Sequence, residues 1–256
     1  VGGGSSTLPA DPATRTCPAA SAIDDAAADY RLLASLGAME RGGLQDHVGG
    51  GFHRYTVDDA WAIPHFEKML YDQAQLAAVL VGAVTRYRTA AEGPRFATAL
   101  RRTCEYLLRD LRLAGGAFAS AQDAEATPED EQEAAERGHG ERRTVEGAYW
   151  VWPEAQVRSI LAAGEPFASN ASYIDAFVAA YQMDVNGNAP PGTDPHGELS
   201  GKNHLRRLSE RELARVGATL SLSPDEVARV ESAGLGLLLE HRARRPPPLL
   251  DDKVIY

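Results

Sequence analysis

Cysteine is scarce in this sequence. Among 256 residues only Cys17 and Cys104 carry thiols, and they lie far apart with no CxxC pair. A disulfide framework needs more cysteines, and a cysteine-rich zinc site needs closely spaced ones, so both are excluded. The 44% hydrophobic composition is enough for a sizeable core, and the low cysteine content fits a reducing compartment.

Long apolar runs and basic stretches are also missing. No run approaches the roughly 20 residues of a membrane span, and residues 1–20 lack the charged start and apolar centre of a secretory signal. The formal net charge of −10 leaves no basic stripe for nucleic acid or an anionic membrane. Arg242, Arg244 and Arg245 form one short basic patch, which we expect to be solvated. These absences predict a soluble, intracellular protein that binds neither nucleic acid nor membrane.

Common metal and nucleotide motifs do not occur. His47, His53 and His65 lie close in sequence, but there is no HExxH. The HxE of His65 and Glu67 is not followed by the PCxxC of a zinc deaminase. The glycines at 49–51 precede no GK[ST], and no strand with GxGxxG precedes a helix. We therefore expect no metal and no other cofactor.

Helical periodicity recurs along the chain and predicts a mainly α fold. About seven helices are expected, beginning near residues 24, 64, 94, 153, 168, 209 and 223. The second should run from Pro64 to about Arg88, and the apolar face of the third includes Cys104. Serines at 209 and 223 are each followed three residues later by glutamate, the spacing of a capping box. FASAQDAEA and EGAYWVW predict two short strands in a β-hairpin-like segment.

Two segments lie outside this pattern. Residues 1–23 are rich in Gly, Ser, Pro and Thr without periodicity, which predicts a linker or a disordered start. Residues 124–146 form an acidic insert of low complexity, which we expect to be a mobile loop. The remaining domain, 24–256, ends within an apolar pattern, so we expect Val254, Ile255 and Tyr256 to be left uncovered.

The stretch GGGFHRYTVDDAWAIPHFEKMLYD, residues 49–72, is polar for the start of an apolar helix. A helix beginning at its proline would present free N–H groups and a partial positive charge here, which favours a ligand. On that helix His65 and Asp72 flank one edge of the apolar face, and Glu67 and Tyr71 flank the other.

Glu67, His65 and Asp123 are candidates for general acid/base catalysis, which needs groups of different proton affinity across a substrate. Asp123 follows the strand-like FASAQ, where its carboxylate could enter a shared cleft. Each residue also has a structural interpretation. Glu67 would favour the helix dipole, His65 would be an interior histidine bonded to Asp72 or a carbonyl, and Asp123 would belong to an acidic loop.

Aromatic and polar side chains near these candidates predict a sugar or polyol ligand, because sugar rings stack on flat apolar faces. Trp61 and Trp150 are the candidate stacking residues, and ordinary packing is the alternative role for both. We assign the other substrate contacts to polar side chains of the same stretch, namely His53, Arg54, Tyr71 and Asp72.

Five segments together resemble the spermatogenesis-associated protein 20 family: GGGFHRYTVDDAWAIPHFEKMLYDQAQL, FASAQDAEA, EGAYWVW, DPHGELSGKN and RPPPLLDDKVIY. The resemblance runs from about Asp25 to Tyr256, and PHFEKMLYD is highly specific. It implies large proteins in which an α/α toroid follows a thioredoxin-like domain. That toroid is similar to those of six-hairpin carbohydrate enzymes, including the N-acylglucosamine and cellobiose epimerases.

The resemblance also implies what this chain lacks. It would comprise about the first half of the toroid, without the thioredoxin-like domain or the second half. A six-hairpin ring needs about twelve helices, more than are predicted here, so we expect an incomplete ring. Two segments depart from the family pattern. The chain reads Gly-Gly-Leu-Gln-Asp at 42–46 in place of Gly-Gly-Ile-Tyr-Asp, and Ala-Glu-Ala at 124–126 in place of Ala-Asp-Ser.

Three functions follow from these patterns. The first is a fragment of a carbohydrate-enzyme-like domain with epimerase- or hydrolase-like acid/base chemistry. The second is a non-catalytic module that binds a ligand or a protein partner alongside a thioredoxin-like domain, and the third is a truncated, inactive product. Convergence of Glu67, His65 and Asp123 on one cavity would favour chemistry, whereas dispersal among salt bridges would favour the module.

Overall fold

The computed structural model describes residues 25–90, 92–131 and 143–254. It divides into two compact units, one ending at Ser35 and the other running from Leu36. The fold is mainly α with short antiparallel strands, as predicted. Among the described residues the α-helices include α1 (Asp25–Arg41), α2 (Leu70–Arg86), α3 (Gly93–Tyr106), α4 (Glu154–Ala162), α5 (Ala171–Ala180), α6 (Glu210–Leu220) and α7 (Pro224–Arg242). A π-helix, Leu107–Leu111, follows α3, and a 3₁₀ helix covers Phe167–Ser169.

The strands form three small antiparallel sheets. The first pairs β1 (Tyr55–Thr56) with β2 (Pro64–His65). The second has the order β3–β4–β7, in which β3 is Lys68–Met69, β4 is Ala119–Gln122 and β7 is Leu250–Val254. The third pairs β5 (Glu125–Ala126) with β6 (Val145–Glu146).

Local sequence signals account for the C-terminal helices. The predicted capping boxes at Ser209 and Ser223 are both present, with Glu212 and Glu226 completing them. The main apolar core lies among α4, α5, α6 and α7, where Phe177 is fully buried. A Cβ on Gly234 would lie 2.4 Å from the Phe177 ring, so glycine is needed for α7 to pack this closely.

The predicted helix start at Pro64 is wrong. Residues 64–65 form β2, residues 68–69 form β3, and α2 begins only at Leu70. The cause is strand pairing, because Pro64 pairs with the nearby Thr56 and Lys68 pairs with the distant Gln122. The helix-dipole argument for Glu67 therefore no longer applies.

Two burial predictions are also wrong. Cys104 is exposed, because α3 buries the face that carries Phe96, Thr103 and Tyr106. Arg242 and Arg245 are 2% and 5% exposed rather than solvated, because they meet acceptors inside the fold.

Several expectations concern residues at the limits of the described chain. The proposed linker 1–23 lies outside the described residues, as do 132–142 of the acidic insert and the final residues 255–256. Residues 250–254 pair with β4 as strand β7. Closure into a toroid stays a prediction. No helix among the described residues has the length and apolar character needed to cross a membrane.

Candidate functional site

The glycine run 49–51 packs against the interior of the fold. A Cβ on Gly49 would lie 1.9 Å from Arg242 Nη2, and one on Gly50 would lie 2.3 Å from the Arg102 carbonyl oxygen. Gly50 and Gly51 also have positive φ values, +80° and +73°, which favour glycine. The run thus lets the backbone approach two arginines closely.

A buried ion trio lies beside this run. Both carboxylate oxygens of Asp46 accept hydrogen bonds from Arg242, at 2.9 and 2.8 Å. Lys68 Nζ donates to Asp46 Oδ2 at 2.6 Å and to the Gly50 carbonyl at 2.9 Å. It also lies 4.2 Å from the centroid of the Tyr106 ring. The Asp46 carboxylate therefore forms ion pairs with two buried cations.

The trio shifts the pKa values of its members. Burial alone would raise the pKa of Asp46, but Arg242 and Lys68 outweigh it and hold that pKa well below its usual value. Burial lowers the pKa of Lys68 to about 8 despite the attraction of Asp46, and the positive charge of Arg242 adds to the effect. Lys68 is consequently the cation that gives up its proton most readily.

A cluster of rings adjoins the trio. His53 makes edge-to-face contacts with Phe66, Trp150 and His204, with centroids 5.3, 5.5 and 5.5 Å away. His53 Nδ1–H donates to the Phe66 carbonyl at 2.8 Å, and His204 Nε2–H donates to the Gly43 carbonyl at 2.7 Å. Burial lowers the pKa of both histidines, that of His204 to about 4. Both are therefore neutral, and His53 and Trp150 are 1% and 2% exposed.

The candidate acid/base residues lie nearer the surface. His65 Nδ1 lies 2.7 Å from Glu146 Oε1, and His65 Nε2 lies 3.8 Å from Glu67 Oε2. Arg54 Nη1 donates to the same Glu67 oxygen at 2.9 Å. The pairing of Tyr55 with His65 brings Arg54 beside Glu67, whereas Glu146 comes from β6. An imidazole thus lies between two carboxylates, one of which is paired with an arginine.

Aromatic and acidic groups extend this arrangement. The Tyr55 ring stacks on His65 with centroids 5.2 Å apart, and Tyr55 and Tyr71 are 51% and 40% exposed. Tyr71 and Glu67 both raise the pKa of Arg54, which places them close to its guanidinium. We call the set of side chains that share these contacts the polar face, and its members are Arg54, Tyr55, His65, Glu67, Tyr71, Asp72 and Glu146.

Asp72 is the member of the polar face with a raised pKa. Burial is the main cause, with a smaller contribution from the negative charge of Glu67, and Arg54 opposes both. Its Oδ2 atom is buried and has no hydrogen-bond partner among the described residues. A carboxyl group of this kind retains its proton to a higher pH than an ordinary aspartate.

A cavity of about 360 Å³ adjoins the polar face at Glu146. Its walls include Pro64 and Phe66. His65 and Glu67, which alternate with these two residues along the chain, do not line the cavity. The opposite wall belongs to a turn-rich loop with Thr193 and His196. Glu146 therefore connects the cavity to the imidazole of His65.

Two predicted site residues lie apart from these contacts. Asp123 is exposed and its Oδ1 accepts from the Glu125 backbone N–H at 3.2 Å. Because Lys68 pairs with Gln122, Asp123 and Glu67 occupy the same end of the β3–β4 ladder. Trp61 has a φ of +57° and lines a separate cleft of about 290 Å³. Among the described residues, no three His, Cys, Asp or Glu side chains are grouped to hold a metal.

Comparison with known proteins places this arrangement in a family. The chain is 36% identical over 237 residues to human spermatogenesis-associated protein 20 and 37% identical over 238 residues to the mouse protein. Each match covers 91% of this chain. The chain belongs to the spermatogenesis-associated protein 20 family. An uncharacterized protein from Caenorhabditis elegans is 33% identical over 224 residues, or 88% of this chain.

The family match covers only part of the longer proteins. The chain spans 28% of the length of each of these three relatives. No protein-family model matches it. The activity, substrates and partners of a complete family member are therefore matters for proposal.

Sequence reasoning missed the three members of the buried ion trio and one carboxylate of the polar face. Asp46, Lys68 and Arg242 were not among the candidate site residues, and neither was Glu146. The available signal for Lys68 was its place in PHFEKMLYD, where it directly precedes the apolar Met69 and Leu70. Asp46 and Arg242 are 196 residues apart, so no local sequence pattern could predict their contact.

Proposed function

We propose that the polar face is an acid/base site for a sugar or related polyol. The observation that carries this proposal is the position of His65 between Glu146, at 2.7 Å, and Glu67, at 3.8 Å. An imidazole between two carboxylates can accept a proton on one side and release one on the other. General acid/base catalysis of this kind is typically worth a factor of about 10² to 10⁴.

The surroundings of His65 favour a polyhydroxylated ligand. Tyr55 and Tyr71 expose flat faces on which a sugar ring could stack, and Arg54 and the carboxylates could hydrogen-bond its hydroxyl groups. The raised pKa of Asp72 suits its carboxyl group to donate a hydrogen bond to a ligand hydroxyl. In this proposal His65 and Glu67 exchange the proton, and Arg54, Tyr71 and Asp72 orient the ligand.

A binding role without chemistry is the second candidate. It is favoured by the salt bridge between Arg54 and Glu67, because the Glu67 carboxylate already has a cation as its partner. Asp123 also makes a local turn contact of its own. A binding module would retain ligand affinity and show no turnover.

The test begins with a panel of mono- and disaccharides screened against the chain by saturation-transfer NMR. Sugars that bind are then incubated with it and followed by proton NMR for epimerisation or hydrolysis. We expect His65→Asn and Glu67→Gln each to lower turnover by at least about tenfold. Glu105→Gln is the matched control, because Glu105 is an exposed carboxylate paired with Arg101 on α3.

The outcomes separate the two candidates. Binding followed by turnover that falls in His65→Asn and Glu67→Gln supports the acid/base site, and Asp123→Asn tests whether that residue takes part. Binding without turnover supports the module. Failure of every sugar to bind contradicts both, and a large loss of stability in the variants would make these residues structural.

A further inference from the structure

Positively charged side chains line a second cleft, which is separate from the polar face. It has a volume of about 280 Å³, lies between α3 and α7, and is lined by Arg101, Arg102 and Arg109. Glu105 is the acidic residue in its lining. Three arginines around one cleft are unexpected in a chain whose formal net charge is −10.

Backbone carbonyls hold two of these guanidinium groups in place. Arg102 Nη2 donates to the Val48 carbonyl at 3.1 Å and also to that of His47. Arg109 Nη2 donates to the Gly49 carbonyl at 2.7 Å. Carbonyl oxygens fix the orientation of a guanidinium without neutralising its charge, so the cationic groups are preorganised.

The charges are only partly compensated. Arg101 pairs with Glu105 at 2.6 Å, and Arg109 pairs with Asp110. Arg102 is half-buried, and none of the ion pairs found among the described residues includes it. Burial accordingly lowers its pKa. A half-buried cation without a carboxylate partner is stabilised when an anion binds beside it.

The floor of the cleft is apolar. Leu235 and Leu239 of α7 form part of it, and Val48 contributes from the loop before the glycine run. Gly236 leaves open space above α7, since a Cβ placed there would meet no atom within 4 Å. A ligand that fits these features has an anionic head and an apolar body.

We propose that this cleft binds a small phosphate monoester with an apolar substituent. Phosphate presents three terminal oxygens and a charge of about −1.5 to −2, which suit several guanidinium groups at once. A carboxylate presents two oxygens and a single charge. The apolar floor would contact the substituent, so this ligand differs from the sugar of the polar face and the two proposals stand independently.

Isothermal titration calorimetry at constant ionic strength can test the cleft, with phenyl phosphate, benzoate and inorganic phosphate as probes. We expect phenyl phosphate to bind more tightly than both. Arg101→Gln removes one charge from the rim, and Gly236→Glu adds a carboxylate in open space. Each should weaken binding by about tenfold, the effect of one charge-assisted contact.

Matched variants distinguish binding in the cleft from a general effect of the protein's net charge. Arg215→Gln removes an exposed arginine of α6 that is not in the cleft, and Gly236→Ala adds only a methyl group. Both should leave the affinity unchanged, and circular dichroism confirms the fold of each variant. The proposal is overturned if phenyl phosphate does not bind, if benzoate binds equally well, or if Arg215→Gln weakens binding as much as Arg101→Gln.

Discussion

Arg242 holds both carboxylate oxygens of Asp46 across a sequence separation of 196 residues. The pair joins the end of α7 to the loop that precedes the glycine run. Both side chains are 2% exposed, so the two charges are desolvated together. Lys68 then adds a second cation to the same carboxylate. The three residues therefore connect parts of the chain that share no local pattern.

Substitutions of different members of the ion trio should lower the free energy of unfolding by unequal amounts. Asp46→Ala leaves two buried cations without their carboxylate and should lower the free energy of unfolding by about 3–5 kcal/mol. Lys68→Met leaves the Asp46–Arg242 pair intact and fills the space with an apolar chain, so its cost should stay below about 1.5 kcal/mol. Urea denaturation monitored by circular dichroism measures both. Equal losses in the two variants would contradict this account of the trio.

Acid should destabilise the fold through its buried histidines. Burial lowers the pKa of His47 to about 3 and that of His204 to about 4, from an unfolded value of 6.5. Below pH 6.5 the unfolded chain binds the protons first, so stability is complete above that pH and is lost as the pH falls. At pH 5 the loss should be about 2 kcal/mol per histidine.

Denaturation curves at pH 7.5, 6 and 5 measure this dependence. His204→Gln should flatten the slope even if it lowers stability at neutral pH, because one of the titrating groups is gone. His196→Asn changes an exposed histidine and serves as the control. A slope that is unchanged by His204→Gln would show that this residue does not contribute to the acid response.

The glycine run should tolerate no added side chain at its first position. A Cβ on Gly49 meets Arg242 Nη2 at 1.9 Å, so Gly49→Ala must displace the arginine from Asp46. We expect a loss of about 1–3 kcal/mol, as in other overpacked sites. Gly82→Ala in α2 meets no atom within 4 Å and should instead stabilise the chain by about 0.5–1 kcal/mol. The melting temperatures of both variants measure these opposite effects. A Gly49→Ala protein as stable as the unsubstituted chain would refute the prediction.

Features that depend on neighbouring residues could be predicted from the sequence. Apolar periodicity located the helices, and Ser209 and Ser223 marked two helix starts because a capping box forms within four residues. The strand character of FASAQ could also be predicted, since four of its five residues, Ala119–Gln122, form β4. The family motifs were recognisable for the same reason, because they are contiguous.

Tertiary structure alone decided the features that depend on distant partners. Lys68 and Met69 became a strand rather than part of a helix because Gln122 and Ala121 supplied backbone partners. Arg242 became an interior residue because Asp46, 196 residues away, compensated its desolvation. Glu146 joined His65 across 81 residues, which no local pattern could indicate. Backbone pairing and buried charge both require partners in space, and sequence spacing specifies such partners only when they are close along the chain.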